Sequence, residues 1–296
     1  MNKLKIAIVI LNYNGLENTL ECINSVTAID QKNINLDLIV VDNNSQDDSQ
    51  KKLEKLNGIK LILNSENLGF TGGMNTGIKY ALENGADQII LLNNDTYVDH
   101  NFLINIHKAS QKGDIVAPKI YFAKGYEFHK NRYKNSDLGK VIWYAGGKID
   151  WLNVIGTHIG VDEVDTGQFN RQKEIDFATG CCLLIKKEVF GKVGLLDDKY
   201  FLYLEDMDFS VRAKKEGFKI IFEPASIVWH KNASSAGGSG SSLQEYYFTR
   251  NRLIFAFKYC PVRTKLALLR QTIKETGNPV KRKALLDFIS FHYGKK

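Results

Sequence analysis

Four apolar runs in the first hundred residues each end in a polar cluster, and that recurrence restricts the chain to few folds. Residues 5–11 (KIAIVIL), 36–41 (LDLIVV), 59–63 (IKLIL) and 88–92 (QIILL) have the length and composition of buried strands. Between them, residues 16–25, 48–56 and 73–83 read as helices. Strands of this kind alternating with helices predict an α/β fold with a mostly parallel central sheet covered on both faces. No internal repeat of fixed period is visible. In such sheets ligands bind beyond the carboxyl ends of the strands. Here those ends read Asn12-Tyr13-Asn14-Gly15, Asp42-Asn43-Asn44-Ser45, residues 64–67 (NSEN) and Asn93-Asn94-Asp95, so a polar site is expected on one sheet edge.

Two common nucleotide signatures are missing from that edge. Gly69, Gly72, Gly73 and Gly77 do not fit GxGxxG after the first strand, and GxxxxGK[ST] does not occur, which disfavours a dinucleotide oxidoreductase or a P-loop enzyme. At 296 residues, 44% hydrophobic and 25% charged, the chain can bury a sizeable core. Its first apolar run, residues 6–11, is shorter than the apolar region of a secretory leader, and no run approaches the ~18 residues that span a bilayer. A cytoplasmic protein is therefore expected, and four cysteines without CxxC spacing fit free thiols.

The net charge of +7 is unevenly placed, because residues 243–296 hold 12 Lys and Arg against 3 acids. Residues 246–257 mix aromatic, aliphatic and Arg residues at near-helical spacing, and basic helical patterns follow at 265–274 and 281–291. Such segments suit peripheral contact with an anionic membrane, or packing on the rest of the protein with a solvated basic face. No nucleic-acid-binding motif accompanies the charge, so no nucleic-acid partner is expected. Residues 233–242 (ASSAGGSGSS) have the backbone freedom of a linker or mobile loop.

A second constellation lies at residues 197–230. Glu205, Asp206 and Asp208 stand at the mouth of a helical stretch, and residues 226–229 form a short strand pattern ending in His230. Asp208 is placed to pair with Arg212 at i, i+4. Acids beside a histidine that could ligate a metal suggest an enzyme.

The strings VILNYNG, VVDNNSQDDS, NSENLGFTGGMNTGI, LLNNDTYVD and FATGCCLLIKKEVFGKVGLLDDKYFLYLEDMDFSVRAKKEGFKIIFEPASIVWHK resemble glycosyltransferase family 2, and within it the rhamnosyltransferase and galactofuranosyltransferase-like branch. The resemblance runs over roughly residues 5–255 in the family's order. It implies a GT-A nucleotide-diphospho-sugar transferase fold, with a catalytic domain at 1–242 and a basic helical extension at 243–296. Residues 1–118 would bind the nucleotide sugar, and 119–242 the acceptor.

The implied reaction is an inverting transfer from a nucleotide diphosphate donor to the hydroxyl of a glycan or lipid-linked acceptor, in cell-surface polysaccharide or glycolipid synthesis. Rhamnose on a thymidine diphosphate is the leading donor, with uridine diphosphate sugars open. Asn12, Tyr13 and Asn14 would line the base, and Asp42 would accept from a base N–H or ribose hydroxyl unless it caps the following turn. Asn67, Gly69, Gly73 and Asn75 would offer a glycine-bearing loop before a helix to phosphate or sugar oxygens. Asn93-Asn94-Asp95 resembles the family's DxD-type motif with Asn93 in place of the first acid, so Asn93 and Asn94 are expected at the nucleotide sugar. Asp95 and His230 would hold Mn2+ or Mg2+. Asp206 would be the catalytic base, Glu205 would orient acceptor or base, and Arg250 would contact donor phosphate or acceptor. The 233–242 stretch then reads as a flap over the donor. Two other classes share parts of this pattern: a sugar-nucleotide nucleotidyltransferase, and a non-catalytic sugar-nucleotide binder.

Overall fold

The computed structural model describes residues 3–32, 34–232 and 240–296, so residues 233–239 of the flap expected at 233–242 lie outside the described residues. Strands β1 (Lys5–Asn12), β2 (Asn35–Asp42), β3 (Lys60–Leu63) and β4 (Gln88–Asn93) alternate with helices α1 (Leu16–Thr27), α2 (Ser49–Leu53) and α3 (Gly69–Glu83). β1 pairs in parallel with β2 and β4, and β2 with β3. Residues 6–10 and 39–41 are wholly removed from solvent. Each fully buried Ile or Val there stabilises the sheet by about 1.5–3 kcal/mol.

The chain continues through β5 (Thr96–Val98), α4 (Phe102–Ala109), β6 (Ile115–Phe122), a 3₁₀ turn (Lys130–Arg132), β7 (Ile142–Tyr144), β8 (Gly147–Asp150), β9 (Ile155–His158) and β10 (Lys173–Glu174). β11 (Cys182–Lys186), α5 (Lys187–Val193), α6 (Glu205–Lys215) and β12 (Ile220–His230) follow. One ten-stranded sheet has the order β10-β12-β6-β11-β4-β1-β2-β3, with β5 added to β12 and β7 to β6. β8 and β9 form a separate hairpin.

The expected mostly parallel sheet is present, with β11 reversed between β4 and β6. That reversal matters for the site, because Cys182 lies opposite Leu92 and the residues just before β11 join the carboxyl edge of β4. β12 runs parallel to β6, which brings His230 to the same edge. The short strand expected at 226–229 is the end of this longer strand, bulged between Glu223 and Ile227, where Pro224 lacks a ladder N–H. The division expected at 118/119 falls inside β6, so both parts share one sheet.

Three helices end the chain: α7 (Ser242–Tyr259), α8 (Val262–Lys274) and α9 (Pro279–Ile289). Ser241 caps α7 by accepting from Gln244 N, and Asn278 caps α9, whose first turn begins with Pro279. Leu253 and Phe255 of α7, Leu268 of α8 and Leu285 of α9 share a core with Tyr200, Leu204 and Met207. The aromatic stretch at 246–257 therefore turns largely inward, and the outward apolar residues belong mainly to α8 and α9. Among the described residues no helix is long and apolar enough to cross a membrane. All four cysteines are free and buried, and burial pushes the Cys22 thiol up to about 12.

Candidate active site

The ends of β1 and β2 meet in a hydrogen-bonded network. Asn12 Nδ2 donates to Asp42 Oδ2 at 2.7 Å and to Ser45 Oγ at 3.0 Å, while Asn12 Oδ1 accepts from Thr19 Oγ1 at 2.7 Å. Asp42 Oδ1 accepts from Ser45 N at 2.9 Å and from Gln50 Nε2 at 3.0 Å. Asn12 and Asp42 are both fully buried. Asn12 is thus corrected from a base-lining residue to the bond between two strand ends. Asp42 makes the turn bond weighed from the sequence, and the half-buried Gln50 amide covers its other side. Asn14 takes a left-handed conformation (φ 51°), and its Oδ1 accepts from Gln46 N at 2.7 Å. Tyr13 stands at the rim, 47% exposed, where a planar ligand could reach it.

Helix α3 begins at Gly69, four residues earlier than expected, because Asn67 Oδ1 accepts from Gly69 N at 2.8 Å and from Asn43 Nδ2 at 3.0 Å. Gly73 is therefore inside the helix and offers no free loop amide. An added Cβ there would sit 2.4 Å from Leu11 Cδ1, and one at Gly77 2.3 Å from Val9 Cγ1. These glycines let α3 lie close on β1. Gly69 (φ 73°) abuts Phe201, whose ring would be 2.5 Å from an added Cβ. Asn75 is a second correction: Nδ2 donates to Leu196 O and Asp198 Oδ1, and Oδ1 accepts from Leu196 N at 3.1 Å. Its side chain ties down residues 196–198 and leaves nothing to a donor sugar.

At the end of β4 the chain turns through Asn94 and Asp95 into β5. β5 pairs antiparallel with the end of β12, placing Thr96 opposite His230. Asp95 Oδ1 and His230 Nε2 consequently lie 3.2 Å apart, both buried. Trp143 meets the His230 ring edge-on with centroids 4.5 Å apart, and contacts His158 at the same separation. Asn94 Nδ2 donates to Thr19 Oγ1 at 2.9 Å, and Asn93 N donates to Cys181 O at 2.9 Å. Among the described residues, Asn93 Oδ1 and His230 Nδ1 are buried with no hydrogen-bond partner. Among the described residues no group of three or more His, Cys, Asp or Glu could hold a metal by itself, so other ligands would have to come from a bound molecule.

The acidic pair faces this edge from α6. Gly180 N donates to Asp206 Oδ2 at 2.9 Å and Met207 N to Oδ1 at 2.7 Å. Gly180 and Cys181 are adjacent, so one dipeptide links Asp206 to Asn93. Asp206 is half-buried, whereas Glu205 is buried with Oε2 unpartnered. Burial, then the Asp206 charge, holds the Glu205 carboxyl well above the usual range. Burial also raises Asp206, opposed by its backbone N–H donors. Both carboxyls are thus held above their usual range, Glu205 the more strongly. Asp208 makes the expected pair, accepting from Arg212 Nε at 2.7 Å, and also binds Lys258 Nζ at 2.6 Å.

Left-handed conformations at Phe201 (φ 63°), Tyr203 (φ 70°) and Leu204 (φ 69°) lead into this pair. Each costs about 1–2 kcal/mol in a residue other than glycine.

The sequence pattern of Glycosyl transferase family 2 matches residues 7–194. The chain belongs to this family. It is 24% identical to the low-salt glycan biosynthesis hexosyltransferase of Haloferax volcanii over 253 residues, covering 84% of this chain and 74% of that protein. It is also 24% identical to the dTDP-rhamnosyl transferase of Shigella flexneri over 259 residues, 84% of this chain and 79% of that protein. A solved structure of GalNAc-T7 with UDP, GalNAc and Mn2+ superposes with a TM-score of 0.61 at 17% identity, over 85% of this chain and about half (51%) of the other. The fold is GT-A, and the protein is a glycosyltransferase related to rhamnosyltransferases.

Arg250 of this glycosyltransferase is a third correction. Its guanidinium is fully buried, donating to Gly294 O at 2.8 Å, Lys199 O at 3.1 Å and Tyr200 O at 3.0 Å, over the ring of Tyr247. No face of it is left for a phosphate. Sequence reasoning missed Asn251 as a neighbour of the site, whereas residues 143–148 and 156–165 read from the sequence as hairpin-like strands over the acceptor and Thr179-Gly180-Cys181 as resembling the family block beside it. The chain path from β7 to β9 brings Trp143 against both His158 and His230, a contact that the hairpin pattern alone does not specify.

Proposed function

We propose that this glycosyltransferase performs an inverting transfer of a sugar, rhamnose first among candidates, from a dTDP- or UDP-sugar to an acceptor hydroxyl of a glycan or lipid-linked glycan in cell-surface polysaccharide or glycolipid synthesis. The carrying observation is the pairing of two stations on one sheet edge: Asp95 with His230, and Asp206 with Glu205, joined through Gly180 and Cys181. In this reading residues 1–118 bind the donor, with Tyr13 and Asn14 at the base rim and Asp42 meeting base or ribose once Gln50 yields. Asn67, Gly69 and Asn94 hold the backbone of that edge in shape, and Asn93 Oδ1 faces the nucleotide sugar.

Asp95 and His230 would hold Mn2+ or Mg2+. When bound, that cation neutralises charge developing on the departing diphosphate. Asp206, charged and half-buried, takes the acceptor hydroxyl proton as the oxygen attacks the anomeric carbon from the face opposite the diphosphate, and the bond to the diphosphate breaks with its electron pair. Protonated Glu205 orients acceptor or base. The relative whose name specifies dTDP-rhamnosyl transfer supports rhamnose.

Residues 119–242 supply the acceptor side, and 243–296 a basic helical extension. On α8, Val262, Leu266, Arg270 and Ile273 are exposed at helical spacing with Arg263 and Lys274 beside them, which suits peripheral contact with an anionic bilayer carrying the acceptor.

Asp206→Asn tests the reading. Transfer should fall by about 10²–10⁴-fold while donor binding persists. Undiminished transfer would remove Asp206 as the base.

A further inference from the structure

We infer that Asn251, with Arg250, is the positioning device of the acidic pair, an inference that rests on Asp206 acting as proposed above. Asn251 is fully buried on α7, and its Nδ2 donates to Tyr200 O at 2.9 Å, Leu202 O at 2.8 Å and Tyr203 O at 2.9 Å. Its Oδ1 accepts from Arg250 Nε at 3.1 Å, so the two side chains act as one unit. Arg250 adds bonds to Lys199 O and Tyr200 O. Four carbonyls of residues 199–203 are therefore gathered by two neighbouring side chains of a C-terminal helix.

The segment so held contains Phe201 and Tyr203 in left-handed conformations, and Leu204, also left-handed, leads directly into Glu205 and Asp206. An unconstrained chain of these residues would relax to ordinary backbone angles. Relaxation would rotate the first turn of α6 and withdraw Asp206 Oδ2 from Gly180 N. From the opposite side, Phe201 O accepts from Thr71 N at 3.2 Å and the Phe201 ring stacks on Tyr247 at 5.1 Å, so the loop is clamped between α3 and α7. The chain end joins the clamp, with Gly294 N donating to Lys199 O at 2.9 Å. The basic C-terminal helices are in this view part of the catalytic machinery, because they hold the base without touching substrate.

The test compares Asn251→Ala with Asp206→Asn in the full-length protein, using dTDP and UDP with Mn2+ as binding probes and normalising turnover to nucleotide-binding sites. Asn251→Ala should lower kcat per site by about 100-fold, the scale of an ångström-level misplacement, with donor KM unchanged and the acid limb of the pH–rate profile displaced. A merely structural role would lower the number of binding sites and leave kcat per site and the pH profile native, and that result overturns the inference. If Asn251→Ala does not fold, Asn251→Ser, which retains a donor for one carbonyl, is read in the same way. An inactive Asp206→Asn beside a native Asn251 variant rejects the positioning role alone; an active Asp206→Asn rejects the proposed base itself.

Discussion

Replacing Glu205 by Gln should make the protein more stable, and only above the pH at which ordinary glutamates ionise. Glu205 Oε2 is buried with no hydrogen-bond partner, and burial followed by the Asp206 charge raises its carboxyl well above the usual range. The folded protein thus holds this proton more tightly than the unfolded chain, whose glutamates release theirs near ~4.3. Stability from that tighter hold is complete below the unfolded value and is lost as pH rises toward the folded one. Each pH unit across the interval removes about 1.36 kcal/mol. Glutamine keeps the shape and cannot ionise, so it escapes the loss. At roughly 2 °C per kcal/mol for a large domain, the variant's Tm advantage should be close to zero at pH 4 and grow by about 3 °C for each pH unit of that interval. Calorimetry of the two proteins across pH 4–9 measures this directly. A constant offset at every pH, or a variant less stable at pH 8, would refute the placement of the proton on Glu205. Transfer by the variant should also stay well above that of Asp206→Asn, because the amide mimics the protonated acid.

His230→Ala should weaken Mn2+ binding in the presence of a nucleoside diphosphate by at least about 10-fold, read by electron paramagnetic resonance titration; unaltered affinity would remove His230 from the metal. Gly77→Ala should cost about 1–3 kcal/mol, because its Cβ would sit 2.3 Å from Val9 Cγ1 and 3.1 Å from Val41 Cγ2. An unchanged urea midpoint would show that α3 can move off the sheet freely. Leu266→Glu should reduce co-sedimentation with anionic vesicles and leave neutral vesicles unaffected, since it places an acid in the exposed row of α8. Equal sedimentation of both proteins would sink the bilayer contact.

The first four strands could be read from the sequence because each is a short apolar run bounded by polar residues, and burial on both faces leaves no other use for such runs. β11 could not be placed in the same way. CLLIK reads as a strand, but nothing in it states that it enters antiparallel between β4 and β6, and only that reversal carries Gly180 to Asp206. The polar edge was legible for the same reason as the strands, whereas the roles of its asparagines were not. An asparagine both donates and accepts, so it serves a neighbour as readily as a ligand. Asn12 and Asn75 satisfy protein groups, while Asn93 keeps a buried oxygen without a partner.

The basic tail illustrates the deeper limit. Twelve Lys and Arg at 243–296 suggested a charged surface, yet Arg250 and its uncharged neighbour Asn251 lie in the interior. Charge counts average over residues that face water and residues that do not. What distinguishes Arg250 is the Tyr246-Tyr247 pair beneath its guanidinium and the run of carbonyls at 199–203 opposite it, some fifty residues earlier in the chain. Those carbonyls point inward because of the left-handed turns at Phe201 and Tyr203, conformations that neither residue prefers. Local propensity therefore argues against the backbone that presents Asp206. The site exists because a distant helix overrides that propensity, and conflicts of this kind concentrate where function needs a particular geometry.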